Sequence, residues 1–312
     1  MLRIYCSENG FLLPAEEACP QSWLVLTAPS EEELRFVERR FAILPEFLRY
    51  PLDEEERPRV EVEEKQLLII FHVPDPRHQG DILRYETIPL GIIITEGVVV
   101  TVCLKENLVL EEIVSQAGRF LPVDLARPTT FLFLLFYCVT NLFLRYLRLM
   151  DRLIEDYERE LYRSFRNREL VKILGLEKSL VYFNTALRGN DVVLSRIQSG
   201  RYLRLSEEDL ELVEDIQIEN RQAIEMAKIY SDILTGTMDA YASIIGNNLN
   251  VVMKFLTALA IVLAIPTVVS SFYGMNVRLP FQNHPQAFWG ILLVSLVLST
   301  VVTVYFIKKR LF

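Results

Sequence analysis

Several side chains, most of them small or polar, recur at helical spacing in the C-terminal part of the chain, and their separations alternate between three and four positions. The residues are Asn250, Met253, Thr257, Ala260, Ala264, Thr267 and Ser271. This alternation places all of them on one face of a helix, which we call the polar stripe. In a membrane, such a face either packs closely against another helix or lines a water-filled path.

Two asparagines lie at the ends of the polar stripe. Asn250 begins it, and Asn276 follows its last member, Ser271, by five positions. Amide groups within or beside a membrane usually face a bundle interior or water rather than lipid, and this favours a pore lining over simple packing. Because one helix cannot enclose a pore, the pore interpretation requires several copies of the chain around an axis.

The polar stripe lies on the first of two uncharged segments that are long enough to cross a membrane. Residues 255–273 and 287–307 contain 19 and 21 positions without a charge, close to the roughly 20 residues that a helix needs to span hydrocarbon. Lys254 precedes the first segment, and the basic residues at 308–310 follow the second. The excess of positive charge on the cytoplasmic side of membrane proteins therefore predicts cytoplasmic termini and an outer loop at 274–286.

A third uncharged run, residues 129–144, is more ambiguous. It has 16 residues, it contains Thr140 and Asn141, and Arg145 and Arg148 continue its helical pattern. This length is short for a membrane span. We therefore expect a buried helix of a soluble domain rather than a third span.

Composition excludes several classes of function. The net charge of −8 argues against nucleic acid as a partner, because no basic surface neutralises phosphates. The three histidines show no HExxH spacing, and no GxSxG or Walker-type glycine loop is present, so we expect no enzyme. The four cysteines are scattered without a CxxC pair, which predicts neither a disulfide framework nor a zinc site.

Upstream of the apolar segments, the pattern changes from strands to helices. Segments 66–73, 88–95 and 97–104 are rich in β-branched residues, as strands are. Ser30 and Glu33 have the spacing of a capping box and open a helix. We predict an α/β domain at 1–128, antiparallel helices at 129–205 and a long helix that begins near Ser206. It continues into the first span, with Gly236 and Gly246 as the two positions where it could flex.

Segments in several parts of the chain resemble a known family. VMKFLT (252–257), a proline within the first span, YGMN (273–276) and a second span with a basic end follow one another. DEEERPRVEVEEKQLLIIFHV (53–73) and SDILTGTMDAYASIIGNNLNVVMK (231–254) extend the likeness upstream. In these segments the sequence resembles the CorA family of magnesium and cobalt channels, and the most specific feature is Gly-Met-Asn after the first of two C-terminal spans.

The resemblance implies a funnel-shaped homopentamer with an α+β cytoplasmic domain and two C-terminal transmembrane helices. Residues 206–254 would form its stalk helix, 255–273 would line the pore, 287–307 would form the second span, and 308–312 would be a basic tail. Gly274, Met275 and Asn276 would form the outer ion site, with Gly274 turning the backbone out of the helix. A ring of Asn276 amides would bind hydrated Mg²⁺ through its water shell, and Met253 and Leu256 would form an apolar gate.

The long helix is strongly acidic before it reaches the membrane. Between Glu207 and Asp239 there are ten acidic residues and two basic ones. Such charge is commonly a solvated face. The resemblance implies a second role, in which intracellular divalent ions bound between subunits hold the ring closed, and Asp215 and Asp239 are the candidate ligands.

The outer loop departs from the family pattern, because it has Arg278 and His284 and no carboxylate, where family members often carry Met-Pro-Glu. The identity of the transported ion therefore stays open between magnesium, with cobalt and nickel, and zinc, which a related branch transports. A different class of protein, a non-conducting membrane-anchored sensor, is the remaining alternative. No cofactor is expected beyond the transported and regulatory divalent cation.

Overall fold

A computed structural model describes the chain except for residues 9, 80–81, 117–122, 124, 165–166, 278, 282–283 and 310–312. The strands are β1 (Leu2–Glu8), β2 (Phe11–Ala15), β3 (Ser22–Thr27), β4 (Arg59–Glu63), β5 (Gln66–Gln79), β6 (Ile82–Thr95) and β7 (Val98–Cys103). The helices are α1 (Glu31–Phe41), α2 (Pro45–Arg49), α3 (Leu108–Gln116), α4 (Pro128–Ser164), α5 (Asn167–Gln198), α6 (Glu207–Tyr273) and α7 (Ala287–Lys308). The chain divides into two units, Met1–Thr235 and Gly236–Phe312.

The strands of the first unit form one mixed sheet in the order β2-β1-β3-β7-β6-β5-β4. Only the pairing of β3 with β7 is parallel among the described strands. Every residue of β3 and β7 is buried, as expected for central strands that are covered on both faces. The three strands expected from the sequence are confirmed, and β5 and β6 extend beyond the expected segments as a hairpin of two 14-residue strands.

The first helix closes one face of the sheet, and its start is the predicted one. The Ser30 hydroxyl accepts a hydrogen bond from the Glu33 amide, and the Glu33 carboxylate accepts one from the Ser30 amide. The same carboxylate accepts from the amide of Leu2 at 2.8 Å. The Glu33 side chain therefore pairs with the Ser30 N–H group at the start of α1 and also holds α1 against β1.

The approach of α2 and the following turn to the sheet depends on a glycine. A Cβ built on Gly91 of β6 would overlap the Cγ of Pro51 and lie 2.8 Å from its Cβ. Pro51 is buried and belongs to a short 3-10 turn, Tyr50–Leu52. Gly91 is therefore required by packing, because a strand glycine often marks the close approach of another chain segment.

The other face of the sheet is covered by α4 and α5. The ring of Phe136 on α4 lies 4.4 Å from that of Phe71 on β5, measured between centroids, and Phe131 lies 5.0 Å from Trp23. In the apolar window of α4, 67% of the residues are buried inside the protein, against 6% for the window of α6 and none for that of α7. All three described helices are long and apolar enough to cross a membrane. The expectation that 129–144 forms a buried helix is confirmed, because its large side chains fill the core.

The outer edge of β5 beyond the end of β4 is completed by a side chain. The Asn190 amide oxygen accepts from the His72 backbone N–H at 2.8 Å, and its amide nitrogen donates to the His72 carbonyl at 2.9 Å. The preceding Gly189 allows this approach, since a Cβ there would lie 2.7 Å from Cγ of Pro58. Burial lowers the pKa of His72, whose Nε2 lies 2.8 Å from the Glu56 carbonyl oxygen.

Helix α6 begins where the sequence predicts. The Ser206 hydroxyl accepts from the Asp209 amide at 3.1 Å, and the Asp209 carboxylate accepts from the Ser206 amide at 3.1 Å. Thr129 and Thr130 also donate to this carboxylate, so Asp209 serves to cap the helix. The helix continues for 67 residues with Pro266 inside it, as expected.

The structure corrects the expectation that the cysteines form no disulfide. Cys6 and Cys19 form a disulfide, with their Cα atoms 6.3 Å apart. The linear spacing does not reveal this pair, because it depends on strand register. Cys6 lies opposite Ser22 in the β1–β3 ladder, so the turn before Ser22 brings Cys19 beside it. The expectation that no disulfide forms was wrong at these two positions, while Cys103 and Cys138 are buried free thiols.

Candidate membrane ion pathway

In the second unit, α7 covers an apolar face of α6. Within the membrane segment of α6, Ala258 is only 3% exposed, and Val262, Ile265 and Val269 are half-buried. Val269 lines a cavity of about 540 Å³ together with residues of α7, including Ile291 and Val294. The apolar positions at 258, 262, 265 and 269 therefore form the face of α6 that contacts α7.

The polar stripe lies on a different face of the same helix. At 3.6 residues per turn, its centre is about 140° around the helix from the face that contacts α7. Every member of the stripe is exposed, and Met253 and the neighbouring Leu256 are 55% and 51% exposed. The described part of the chain therefore does not use this stripe for packing against its own second span.

The hydroxyl oxygens near Pro266 remain able to accept hydrogen bonds or to bind a cation. The Thr267 hydroxyl donates to the Leu263 carbonyl at 3.2 Å, and the Ser270 hydroxyl donates to the Thr267 carbonyl at 3.0 Å. A hydroxyl has one donor and two acceptor lone pairs. Because the helix backbone takes the donor of Thr267, the stripe presents hydroxyl oxygen, the type of ligand that hard cations and their water shells prefer.

Helix α6 ends just before the Gly-Met-Asn segment. The Gly274 amide donates to the Ser270 carbonyl at 2.9 Å, and the Met275 amide donates to the Phe272 carbonyl at 3.3 Å. Gly274 does not have a positive φ, so its conformation does not itself demand glycine. The role expected for Gly274, turning the backbone out of the helix, does not require a left-handed residue in this structure.

Asn276 is the first amide beyond the end of α6. Its side chain is exposed and makes no hydrogen bond to any residue that the structure describes. Met275 is also exposed, and the Tyr273 hydroxyl donates to the Pro280 carbonyl at 3.4 Å. The carboxamide of Asn276 can therefore offer its oxygen to an ion or to the water shell of an ion.

The loop between the two apolar helices, residues 274–286, carries no acid that could attract cations. Its Arg278 lies outside the described residues. The ring of His284 accepts at Nδ1 from the Gln286 amide at 3.4 Å, and both residues line the cavity between the two apolar helices. Neutral oxygens are thus the ion ligands that this end of the helix offers.

The two candidate regulatory acids lie in different units, and both are exposed. Asp215 neighbours Glu219, whose pKa is raised by burial and then by the Asp215 charge, while Arg148 opposes the shift. One carboxylate oxygen of Glu219 is buried without a hydrogen bond among the described residues. Within those residues no group of three metal-ligating side chains is assembled, so a metal site at Asp215 would need ligands beyond the described part of the chain.

The α/β unit, the long helix with its exposed polar stripe and the second apolar helix have the arrangement of a two-span membrane protein. Residues 21–310 match the family described as CorA-like Mg2+ transporter protein. The chain belongs to this family, and the resemblance found in its segments is confirmed.

Curated relatives and solved structures agree with this assignment. The Cobalt/magnesium transport protein CorA of Methanocaldococcus jannaschii is 30% identical over 92% of this chain and 90% of its own. The protein of the same name from Thermotoga maritima is 23% identical over 96% and 86%. The complete structure of the M. jannaschii CorA magnesium transporter matches with a TM-score of 0.84, at 26% identity, over 98% of this chain and 97% of that one. The α+β fold with two C-terminal membrane helices is thereby established.

Proposed function

We propose that this protein carries Mg²⁺, and Co²⁺ as a second substrate, into the cell through a pore formed by a ring of identical chains. The observation that carries the proposal is the exposed polar stripe of α6, which faces away from α7 and leads to the exposed carboxamide of Asn276. A stripe that the chain's own second span leaves uncovered suits a central pathway formed by several copies. The family's implied pentamer, with both termini in the cytoplasm, supplies that arrangement.

The chemistry of the pathway suits magnesium. Mg²⁺ releases its water ligands reluctantly, and neutral amide oxygens can hold the hydrated ion through those waters. A ring of carboxylates would bind the ion more tightly and slow its release, whereas conduction needs binding that is weak enough to leave. Asn276 would bind at the outer end, Thr257 and Thr267 would contact the water shell within the membrane, and Asn250 would form the inner ring.

Flux measurement tests this proposal directly. We expect vesicles that contain the purified protein to accumulate Mg²⁺ and Co²⁺ down a gradient, as reported by an enclosed indicator dye, while empty vesicles do not. Parallel assays with Ni²⁺ and Zn²⁺ define the ion preference. Uptake of Zn²⁺ without Mg²⁺ would favour the zinc alternative, and the absence of all flux would favour a non-conducting sensor.

Met253 provides a test of the gate. Met253 and Leu256 follow Asn250 by three and six positions toward the apolar segment of α6, and rings of exposed apolar side chains can close a pore by excluding water. We expect Met253→Asn to raise the leak of Mg²⁺ several-fold when the ion is abundant on the cytoplasmic side. Val252→Asn is the matched control, because Val252 is also exposed and lies on another face of α6. An equal leak in both variants, or none in Met253→Asn, would exclude this gate.

The acidic face of α6 provides a test of regulation. If divalent ions bridge Asp215 to a neighbouring subunit, they offset the repulsion among the acidic faces of the ring. We expect millimolar Mg²⁺ to slow proteolysis of the wild-type chain about tenfold or more, since a ligand stabilises the form that binds it. Asp215→Lys should be protected without the metal, whereas the control Asp232→Lys, also exposed on α6, should still require it. If the wild type resists proteolysis equally with and without Mg²⁺, the acidic face is only a solvated surface and binds no regulatory ion.

The second regulatory candidate is Asp239, and it calls for a different measurement. Asp239 is exposed and lies nearer than Asp215 to the apolar part of α6. A ring of Asp239 carboxylates would concentrate cations at the cytoplasmic entrance of the pore. The effect of changing Asp239 is therefore measured as Mg²⁺ flux rather than as resistance to proteolysis.

A further inference from the structure

The disulfide between Cys6 and Cys19 closes a loop around an edge strand of the sheet. Cys6 lies near the end of β1, and Cys19 lies in the turn between β2 and β3, 13 positions further along the chain. The loop, residues 7–18, therefore contains all of β2. Among the described strands, β2 pairs only with β1. The covalent link thus ties down a strand that has a hydrogen-bonded neighbour on one side only.

Strand β2 has little else to hold it in place. It has five residues, of which only Leu12 is buried. Phe11 and Leu13 are 49% and 46% exposed, and Pro14 has no N–H group to donate to the ladder. Short strands with few buried apolar contacts open at a low cost in free energy. The disulfide is therefore a major part of what keeps β2 on the sheet.

The β1–β2 hairpin also holds the segment that leads into α4. The Ser7 hydroxyl donates to the Val123 carbonyl at 2.6 Å, and the Val123 amide donates to the Gly10 carbonyl at 3.0 Å. Val123 is only 2% exposed and lies five positions before Pro128, where α4 begins. The hairpin therefore supplies both backbone partners of a buried residue, and its position fixes the approach to α4.

The two cysteines of the pair can be reached by a thiol from solution, because both are only half-buried. The other two cysteines cannot take part. Cys103 is fully buried and Cys138 is 5% exposed, and burial raises the pKa of Cys103 to about 11 and that of Cys138 to about 12. Since the thiolate is the form that attacks a disulfide, neither thiol exchanges with the pair near neutral pH.

We propose that the Cys6–Cys19 disulfide is a reversible redox switch, which holds the β1–β2 hairpin and the segment before α4 when closed and releases them when reduced. The proposal rests on the cytoplasmic placement of the first unit in the proposed function, because cytosolic disulfides are commonly transient or redox-sensing. Half-exposed disulfides are also among those that thiols reduce most readily.

The switch is operated by thiol–disulfide exchange. A thiolate of a dithiol reductant attacks one sulfur of the pair and forms a mixed disulfide. The second thiol of the reductant then displaces the protein sulfur. The two electrons and two protons of the dithiol end on Cys6 and Cys19 as two thiols, and the reductant leaves as a cyclic disulfide. A small disulfide such as oxidised glutathione reverses the reaction and leaves as two thiols.

Hydrogen exchange of the full-length protein in detergent tests the release. After reduction with dithiothreitol, we expect the amides of β2 and of Val123 to exchange about a hundredfold faster, because a disulfide around a loop of this length stabilises the closed form by about that factor. The amides of the central strand β7 should not change. Cys6→Ser/Cys19→Ser should exchange at the fast rate without reductant and ignore it, whereas the control Cys103→Ala/Cys138→Ala should keep the response. Equal exchange at β2 before and after reduction would overturn the proposal.

Reversibility is tested with mixtures of reduced and oxidised glutathione. We expect the fraction of Cys6 and Cys19 that is alkylated, read by mass spectrometry, to rise as reduced glutathione is increased and to fall again when the mixture is reversed. A pair that stays oxidised in a hundredfold excess of reduced glutathione would be a permanent staple, and the switch would be wrong. Neither measurement uses Mg²⁺ flux, so the vesicle assay decides the proposed function separately.

Discussion

We expect vesicles that contain the Asn276→Ala variant to take up no more Mg²⁺ than empty vesicles, whereas the wild-type protein should fill them. The carboxamide of Asn276 is the exposed polar group beyond the end of α6. Removing it deletes the neutral oxygen that would hold the water shell of the ion at the outer mouth. Asn276→Asp keeps an oxygen but adds a charge at every subunit, and the tighter binding that follows should also suppress flux.

The control for this result is Asn248→Ala. Asn248 carries the same amide on the same helix, but it lies about 200° around the axis from Asn250 and is outside the polar stripe. We expect its uptake to equal that of the wild type. Assembly of both variants is measured in detergent, so that a loss of uptake can be assigned to the pathway. Normal uptake by an assembled Asn276→Ala variant would remove Asn276 from the ion site.

The largest effect on stability is expected for Gly91→Ala. A Cβ at this position would overlap the ring of Pro51, which is buried and held in a proline turn that cannot readily move aside. Overpacking of a well-packed core costs about 3 kcal/mol at the upper end of the usual range. For a unit of this size, that loss lowers the urea midpoint of unfolding by about 1 M.

The measurement can be confined to the first unit. The chain has two tryptophans, and Trp23 is completely buried in the sheet while Trp289 belongs to α7. In a Trp289→Phe background, fluorescence therefore reports the unfolding around Trp23. Gly236→Ala is the control, because no atom of the described residues lies within 4 Å of a Cβ at that helical position, and alanine should stabilise the helix by up to about 1 kcal/mol. Equal urea midpoints for Gly91→Ala and the wild type would show that the turn at Pro51 shifts to accommodate the added methyl group.

Features that depend on nearby residues were predictable from the sequence. The capping residues Ser30 and Ser206 were recognised because a helix start needs an acceptor at a fixed spacing, and both caps form as expected. The two C-terminal spans followed from the length of apolar sequence that a bilayer requires. The family followed from short segments distributed over the chain, and the comparisons confirm it.

Features that depend on distant residues were not predictable in the same way. Cys6 and Cys19 are brought together by the β1–β3 register, and Asn190 completes the edge of β5 from 118 positions away. No local pattern encodes either contact, because the spacing along the chain does not specify which strands pair. Strands β1 to β4 were likewise missed; β2 and β4, at the two edges of the sheet, have only five residues each and carry few of the repeated apolar residues that identify a strand.

The sequence by itself determined that the members of the polar stripe share one face of a helix, because the repeat of 3.6 residues per turn is a property of the backbone. Only the tertiary structure decided what covers that face. The apolar positions Ala258, Val262 and Val269 are turned toward α7, and the stripe is left open. Likewise, residues 129–144 and 255–273 are both apolar enough for a membrane, but aromatic partners on the sheet bury the first, whereas the described residues bury only 6% of the apolar window of α6. Apolar character sets the preference for leaving water, and long-range packing decides whether protein or lipid takes its place.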